Sequence, residues 1–183
     1  MKIKFSFIIG GFVIIGLLLL YFKSIIRPEP MRDDLAQRPS FEVTEKLPQV
    51  VFSLDPASSS LNQGAELVVS INILSEVELG GIDLKISYSA KLLQFQDANP
   101  GTFFTNPTVL IKKVIPEQNV IIYSLDADTN AAGAGSVAII RFRAVKPGEA
   151  RISIDSQTVI GVKSGIEINA IYPSTGLYTI NDN

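Results

Sequence analysis

The chain has 183 residues, a formal net charge of −2, and neither histidine nor cysteine. This length allows one ordinary domain plus a tail or anchor, and so small a net charge gives no indication of nucleic-acid binding. The lack of cysteine excludes disulfides, thiolate zinc sites and thiol nucleophiles. Without histidine, catalytic triads and most general-base chemistry lose their usual residue, so we expect the protein not to be an enzyme.

An uncharged apolar run extends from Phe5 to Phe22. It has the minimum length for a helix that spans the hydrocarbon core of a bilayer. The run ends without the small residues of a signal-peptidase site, so a retained signal anchor is favoured over a cleaved signal peptide. Residues 1–23 are therefore predicted to form one transmembrane helix in the cell membrane. Lysines flank both ends, so the extracytoplasmic placement of the C-terminal domain follows from the usual arrangement of signal anchors rather than from charge.

Residues 24–49 have a different composition. Four prolines are scattered among charged and amide side chains, and apolar residues show almost no periodicity. Such a segment cannot bury enough apolar surface to order itself, and is typical of a spacer.

Residues 50–183 show short alternating segments separated by turn residues. In Glu66–Leu74 and Gly81–Tyr88 every second residue is apolar, which is typical of strands with one buried face. Further candidate strands are Val50–Leu54, Leu92–Ala98, Val109–Ile115, Val120–Leu125, Ser136–Val145, Glu149–Ile154 and Leu177–Ile180. Composition predicts turns at Ser58–Ser60 and Ala131–Gly135. The pattern predicts a single antiparallel β-sandwich.

The segment Val120–Leu125 is apolar on both of its faces. Alternation directs Ile121, Tyr123 and Leu125 to one side, and Val120 and Ile122 to the other. A strand of a sandwich has only one face in the core, so the second face must be exposed or covered. Exposed apolar side chains on a sheet indicate a protein contact; the alternative is that a loop or the spacer covers Val120 and Ile122.

One acidic segment has part of the pattern of a calcium loop. Asp126, Asp128 and Asn130 match the first, third and fifth positions, but Ala131 and Val137 stand where glycine and glutamate are needed. These three residues are the weak metal candidates of the sequence. We expect a hairpin loop there and no cofactor, with calcium as the alternative.

The domain resembles the cohesin family over nearly all of Val50–Ile180. Five segments match the family's motifs in the same order: Leu61–Val69, Leu79–Leu93, Pro100–Phe104, Val120–Asp128 and Gly135–Ala144. Two positions depart from the family pattern. Ser89-Ala90 replaces the usual Asp-Pro, and Gly81 stands where many cohesins carry a polar contact residue.

The resemblance implies a nine-stranded jelly-roll sandwich. It further implies that the sheet built from the third, fifth, sixth and eighth strands binds a helical protein partner, the dockerin. The family is related to carbohydrate-binding modules of the same architecture and is linked to polysaccharide breakdown.

The predicted function is thus a membrane-anchored, extracytoplasmic binding module that presents a sheet face to a dockerin-like partner. The candidate contact residues are Asp83, Lys85, Ile115, Val120, Ile122, Ser124 and Arg151. One alternative is a carbohydrate-binding module, which would need exposed aromatic side chains. Since tryptophan is absent, only Tyr88, Tyr123, Tyr172 and Tyr178 could form such a platform. The other alternative is a structural surface or adhesion domain without a discrete contact face.

Overall fold

The computed structural model describes residues 46–162, 166–173 and 175–182. All of these residues belong to one compact unit. The predicted anchor and most of the predicted spacer lie outside them. Within the described ranges, no helix has the length and apolar composition needed to cross a membrane.

The described residues form ten β-strands and one short 3₁₀ turn, Pro116–Gln118, and they contain no α-helix. The strands are β1 (Gln49–Asp55), β2 (Ser58–Asn62), β3 (Glu66–Tyr88), β4 (Leu93–Pro100), β5 (Thr108–Ile115), β6 (Val120–Ala144), β7 (Gly148–Ile154), β8 (Val159–Val162), β9 (Asn169–Ile171) and β10 (Gly176–Asn181). The predicted all-β class is confirmed.

Two long strands, β3 and β6, pair with each other in antiparallel fashion along most of their length. The first half of β3 and the second half of β6 lie in one layer, with β1 and β9 on one side and β4 on the other. The second half of β3 and the first half of β6 lie in the other layer. There they are flanked by β5 on one side and by β7 and β8 on the other, and β7 continues to β10 and β2.

The structure does not confirm the nine-stranded jelly roll. The segments Glu66–Leu74 and Gly81–Tyr88, predicted as separate strands, are joined in β3, and Val120–Leu125 and Ser136–Val145 are joined in β6. The register of the β3–β6 pairing shifts between Ser75 and Gly81. Such bulges bend a strand without ending its pairing, so each long strand can contribute to both layers.

Two predicted turns are strands in the structure. Ser58–Ser60 pairs in parallel with β10, and Ala131–Gly135 continues β6 opposite β3. The predicted hairpin loop at Asp126–Asn130 also lies within β6. The first two predictions were wrong because they used local composition, whereas a neighbouring strand supplies hydrogen bonds that override a weak local preference. Residues 127–130 have no register partner on β3 and form an irregular stretch of β6, between Asp126 opposite Gly81 and Ala131 opposite Leu79.

The core lies between the two layers and is lined by alternating residues of the long strands. Ile71, Leu84, Tyr123 and Phe142 are among its largest fully buried side chains. The predicted inward positions of Glu66–Leu74 and Gly81–Tyr88 are all buried. Burial of each side chain of this size stabilises the folded state by roughly 1.5–3 kcal/mol. The alternation of apolar residues therefore determines which face of each strand points into the core.

A tight corner after β4 connects the two layers. Gly101 donates its N–H to the Val137 carbonyl, and Phe103 donates to the Ser136 carbonyl over 2.8 Å. A Cβ atom on Gly101 would lie 2.1 Å from the Ser136 carbonyl oxygen. Only glycine can approach the neighbouring strand so closely, and this closeness holds Phe103 and Phe104 in the core.

Candidate partner-binding face

The outer side of the β7–β3–β6–β5 sheet brings the predicted contact residues together. Cross-strand partners in an antiparallel sheet point to the same side. Ile122 lies opposite Lys85 on β3 and Lys113 on β5. We use "front face" for the outward residues Asp83, Lys85 and Ser87 of β3, Val120, Ile122 and Ser124 of β6, Ile111, Lys113 and Ile115 of β5, and Arg151 and Ser153 of β7.

The predicted orientation of β6 is confirmed. Ile121, Tyr123 and Leu125 belong to the buried core cluster, whereas Val120 and Ile122 do not. Ile122 is half-buried at the centre of the front face. Val120 is only 5% exposed, because it lies between Ser87 and Ile115 of the adjacent strands. Of these two apolar residues, Ile122 therefore offers the more accessible surface.

The polar members of the front face differ in how firmly they are held. Asp83 and Arg151 are exposed, and Asp83 has no hydrogen bond or ion pair from its side chain within the described ranges. The Lys85 ammonium contacts the Asp155 carboxylate at 3.5 Å and donates to Gln157 Oε1. The Lys85 ammonium is therefore held in place by its two partners, whereas the Asp83 carboxylate can accept a hydrogen bond from a bound molecule.

Ser124 is an outward side chain that is nevertheless 1% exposed. It lies between Asp83 on β3 and Ile111 on β5. Its hydroxyl oxygen has no hydrogen-bond partner within the part of the chain that the structure describes. A buried hydroxyl without a partner costs free energy, which makes Ser124 the unusual residue of this face.

The aromatic side chains of the described residues do not form a platform for sugar stacking. Tyr88, Tyr123 and Tyr178 are buried. Tyr172 is half-buried and stacks on Phe52, with the ring centroids 5.5 Å apart. No aromatic side chain of the described residues is more than half-exposed, so the feature that would indicate carbohydrate binding is missing from that part of the chain.

The three metal candidates, Asp126, Asp128 and Asn130, lie at alternating positions of β6 and are all exposed. Within the described residues, no cluster of three or more acidic, histidine or cysteine side chains is arranged to hold a metal ion. Whether calcium binds there stays a prediction.

The sequence did not identify Ile111 and Lys113 as members of the front face. They belong to it because of the register between β5 and β6, and this register includes a bulge at Leu110. Alternation within β5 alone does not show which of its side chains belong to the front face, because nearly every residue of this edge strand is exposed. Val159 of β8, which lies opposite Asp83, was missed because β8 has only four residues.

A family model for the cohesin domain matches residues 50–178. The chain belongs to the cohesin domain family. The match covers all ten strands except the first residue of β1 and the last residues of β10. No curated protein sequence matches the chain.

Solved cohesin structures share the fold. A non-cellulosomal cohesin from Archaeoglobus fulgidus aligns with a TM-score of 0.58 and 20% identity, over 74% of this chain and 91% of that one. A type I cohesin–dockerin complex from Clostridium thermocellum gives a TM-score of 0.60 and 12% identity, over 76% and 96% of the two chains. The third ScaC cohesin of Acetivibrio cellulolyticus, in complex with the ScaB dockerin, aligns with a TM-score of 0.58 and 16% identity, over 73% of this chain and 99% of that one.

Proposed function

We propose that this cohesin domain is a binding module that captures a dockerin-type protein through its front face. The observation that carries the proposal is the cross-strand row of Lys85, Ile122 and Lys113. It places an accessible apolar side chain at the centre of a rigid sheet, between charged neighbours. An apolar centre with a polar rim is the usual arrangement of a protein interface.

The family supports this kind of function. Cohesin domains are non-enzymatic interaction modules, and two of the similar structures are described as complexes of a cohesin with a dockerin. The cohesin from Archaeoglobus fulgidus, however, is described as non-cellulosomal. A role in polysaccharide breakdown is therefore a narrower proposal than capture of a dockerin-type partner.

The shape of the front face favours a helical partner. Its outward side chains lie on four adjacent strands, β7, β3, β6 and β5, which gives a broad surface. A partner interface of standard size buries about 800 Å² on each side. A pair of short helices laid across β3, β6 and β5 would cover Ile122 and reach Asp83 and Arg151.

We further propose that Phe5–Phe22 anchors the protein in the cell membrane, with the domain outside the cytoplasm. The support is the uncharged apolar run and the lack of a cleavage motif after it. In this arrangement the spacer of residues 24–49 would carry the domain away from the bilayer.

The test is a direct binding measurement with the full-length protein in detergent micelles. Immobilised protein is exposed to a panel of purified dockerins that includes those of the two complexes above and the dockerin-like sequences of the source genome. We expect saturable one-to-one capture of at least one dockerin. Binding of soluble polysaccharides without any dockerin would favour the carbohydrate-binding module. Binding of neither would favour the structural or adhesion domain.

A further inference from the structure

Two adjacent pockets lie at the end of the domain where β3 stops and β4 begins. The first has a volume of about 440 Å³ and is lined by Tyr88–Leu92, Asn119 and Lys146; we call it the cationic pocket. The second has a volume of about 550 Å³ and is lined mainly by residues of β4 and β5; we call it the apolar slot. Tyr88 and Ala90 belong to both. No front-face residue lines either pocket, so this site is separate from the proposed partner surface.

Main-chain hydrogen bonds bring three distant segments together around the cationic pocket. The Tyr88 N–H donates to the Asn119 carbonyl oxygen over 3.0 Å. The Val145 N–H donates to the Leu92 carbonyl oxygen over 2.8 Å, which places Lys146 beside the turn that follows β3. The backbone of these segments is therefore fixed, and the side chains that line the pocket converge because of it.

The charges of the cationic pocket are all positive. Lys91 and Lys146 are exposed, and neither ammonium makes an ion pair or hydrogen bond with the described residues. Glu117 and Glu149, the acidic residues closest in sequence to Asn119 and Lys146, line neither pocket. Two unpaired ammonium groups around one concave surface attract an anion.

The Tyr88 hydroxyl indicates a ligand independently of the lysines. Tyr88 is only 7% exposed, and its ring packs against Phe142 with the centroids 5.4 Å apart. Its hydroxyl makes no hydrogen bond with the described residues, yet it is not among the fully enclosed hydroxyls without a partner. The oxygen is therefore accessible from the pockets that Tyr88 lines. Burial raises the pKa of Tyr88 above its usual value, so the group is an O–H donor at neutral pH.

The apolar slot offers a different chemistry from the cationic pocket. Phe95 of β4 and Val114 of β5 line it and are partly buried against the core. Pro116 and Val145 complete its apolar wall, and Val145 is 37% exposed. No charged side chain of the described residues lines the slot. An apolar group would therefore be the favoured occupant, because its burial removes apolar surface from water.

We propose that the two pockets together bind a small organic acid, with its carboxylate in the cationic pocket and its apolar body in the apolar slot. The carboxylate accepts hydrogen bonds from the ammonium groups of Lys91 and Lys146 and from the Tyr88 hydroxyl. The apolar body covers Phe95 and Val114. Small-molecule sites commonly combine an apolar cavity of this size with a few convergent polar groups. The proposal does not depend on capture of a protein partner.

The test uses hydrocinnamate, which joins a phenyl ring to a carboxylate. Isotope-labelled full-length protein in micelles of an uncharged detergent is titrated with it, and the amide signals of Ala90, Lys91 and Lys146 are followed by nuclear magnetic resonance. We expect saturable shifts of these signals. The neutral isostere hydrocinnamide should bind about tenfold more weakly, a loss typical of two partly exposed ion pairs. Acetate, which has no apolar body, should give no saturable shifts.

Three variants locate the effect. Tyr88→Phe removes only the hydroxyl and should weaken hydrocinnamate binding about fivefold, the effect of one hydrogen bond, without a change in the midpoint of thermal unfolding. Lys146→Gln should weaken binding about threefold, since it removes one exposed charge. Arg143→Gln is the matched control, because Arg143 is exposed on β6, three residues before Lys146, and lines neither pocket. It should bind hydrocinnamate as the parent protein does.

Four outcomes would overturn the proposal. Equal affinity for hydrocinnamide would show that the pocket does not recognise a carboxylate, and equal affinity for acetate would show that the slot contributes nothing. Unchanged binding by Tyr88→Phe, or equal losses in Lys146→Gln and Arg143→Gln, would mean that the ligand is held by diffuse charge alone. An absence of saturable shifts with hydrocinnamate would show that no such site exists.

Discussion

Asp83 on β3 lies directly opposite Ser124 on β6, and the first side chain is exposed while the second is buried. This pair joins the apolar centre of the front face to a cleft that is lined by Gly81, Asp126 and Gly161. From Ile122 to Asp126 the strand advances about 13 Å, which corresponds to between two and three turns of an α-helix. A partner helix parallel to β6 that contacts Ile122 would therefore place a residue two or three turns away over the cleft.

Replacement of Ile122 by aspartate should abolish capture of a dockerin. A central interface residue contributes on the order of 2 kcal/mol or more to binding, and aspartate removes the apolar contact that isoleucine makes at this position. The folded protein should tolerate the change, because Ile122 is outside the core cluster. Calorimetric titration measures the affinity and scanning calorimetry the midpoint of unfolding; Asp83→Ala should weaken capture more modestly.

Ile121→Asp is the matched control, since this neighbouring side chain is fully buried in the core. It should unfold the domain. Unfolding of Ile122→Asp as well would show that both faces of this strand are structural. If Ile122→Asp and Asp83→Ala both fold and bind as before, the contact face lies elsewhere.

Two buried tyrosines should respond in opposite ways to replacement by phenylalanine. The Tyr178 hydroxyl donates to the Pro56 carbonyl oxygen over 2.8 Å, so Tyr178→Phe should cost about 1 kcal/mol of unfolding free energy. The Tyr123 hydroxyl is buried and has no partner among the described residues, so Tyr123→Phe should be neutral or stabilising. Urea unfolding at pH 7 measures both; equal losses would show that the Tyr123 hydroxyl has a partner in solution.

Alkaline pH should destabilise the domain through the same tyrosines. Burial, with a contribution from the Asp97 charge, raises the pKa of Tyr123 to about 12, and burial, with Asp55, raises the pKa of Tyr178 to about 12. An unfolded tyrosine titrates near pH 10. Between pH 10 and 12 the unfolded chain loses protons that the folded protein keeps, so stability is full below pH 10 and falls as pH rises.

The decline should be shallower in Tyr123→Phe than in the parent protein, because one of the buried hydroxyls with a raised pKa is gone. Urea unfolding at intervals from pH 8 to pH 11.5 measures the slope. Identical slopes in the two proteins would mean that Tyr123 ionises as freely in the folded protein as in the unfolded chain.

Gly101→Ala should strongly destabilise the domain, by about 3 kcal/mol or more. The added Cβ would be 2.1 Å from the Ser136 carbonyl oxygen, and backbone must move to relieve that contact. Thr102→Ala, one residue away, removes only the side-chain contacts with Ser136 and should cost about 1 kcal/mol or less. Thermal unfolding compares the two; a mild effect of Gly101→Ala would show that the corner is free to relax.

Full-length protein should stay in the membrane fraction through an alkaline carbonate wash, with its original amino terminus. The reason is the apolar run Phe5–Phe22, which lacks a cleavage motif. Protease added to intact cells should cut the spacer of residues 24–49. A soluble form beginning near Lys23 would contradict the anchor, and protection of the spacer would reverse the orientation.

Alternation predicted the inward side of the long strands, because burial of one face imposes a period of two on the sequence. It placed Val69 and Leu84 in the core and Asp83 outside. It could not predict the Ala131–Gly135 segment of β6, whose small residues have the composition of a turn. That segment is a strand because β3 lies beside it. The local sequence does not show that a strand distant in the chain will pair with it.

The front face was predictable only in part. The residues of β3 and β6 followed from alternation and family resemblance, but Ile111 and Lys113 depend on the register of β5. The burial of Ser124 depends on its neighbours across two strand pairs. The cleft beside Gly81 could not be predicted either, because it needs Gly161 of the short strand β8 to lie opposite Gly81. Pairing between strands far apart in sequence determines all three features.

The position of β1 has a mechanical consequence. β1 pairs in antiparallel fashion with β3 over six positions and in parallel with β9 over three. Val50 lies opposite Ser75, at the end of this ladder from which β3 continues into the layer of the front face. A pulling force between the residues before Gln49 and a partner held on the front face would therefore enter the β1–β3 ladder from one end. The pairs nearest Ser75 would carry that load first.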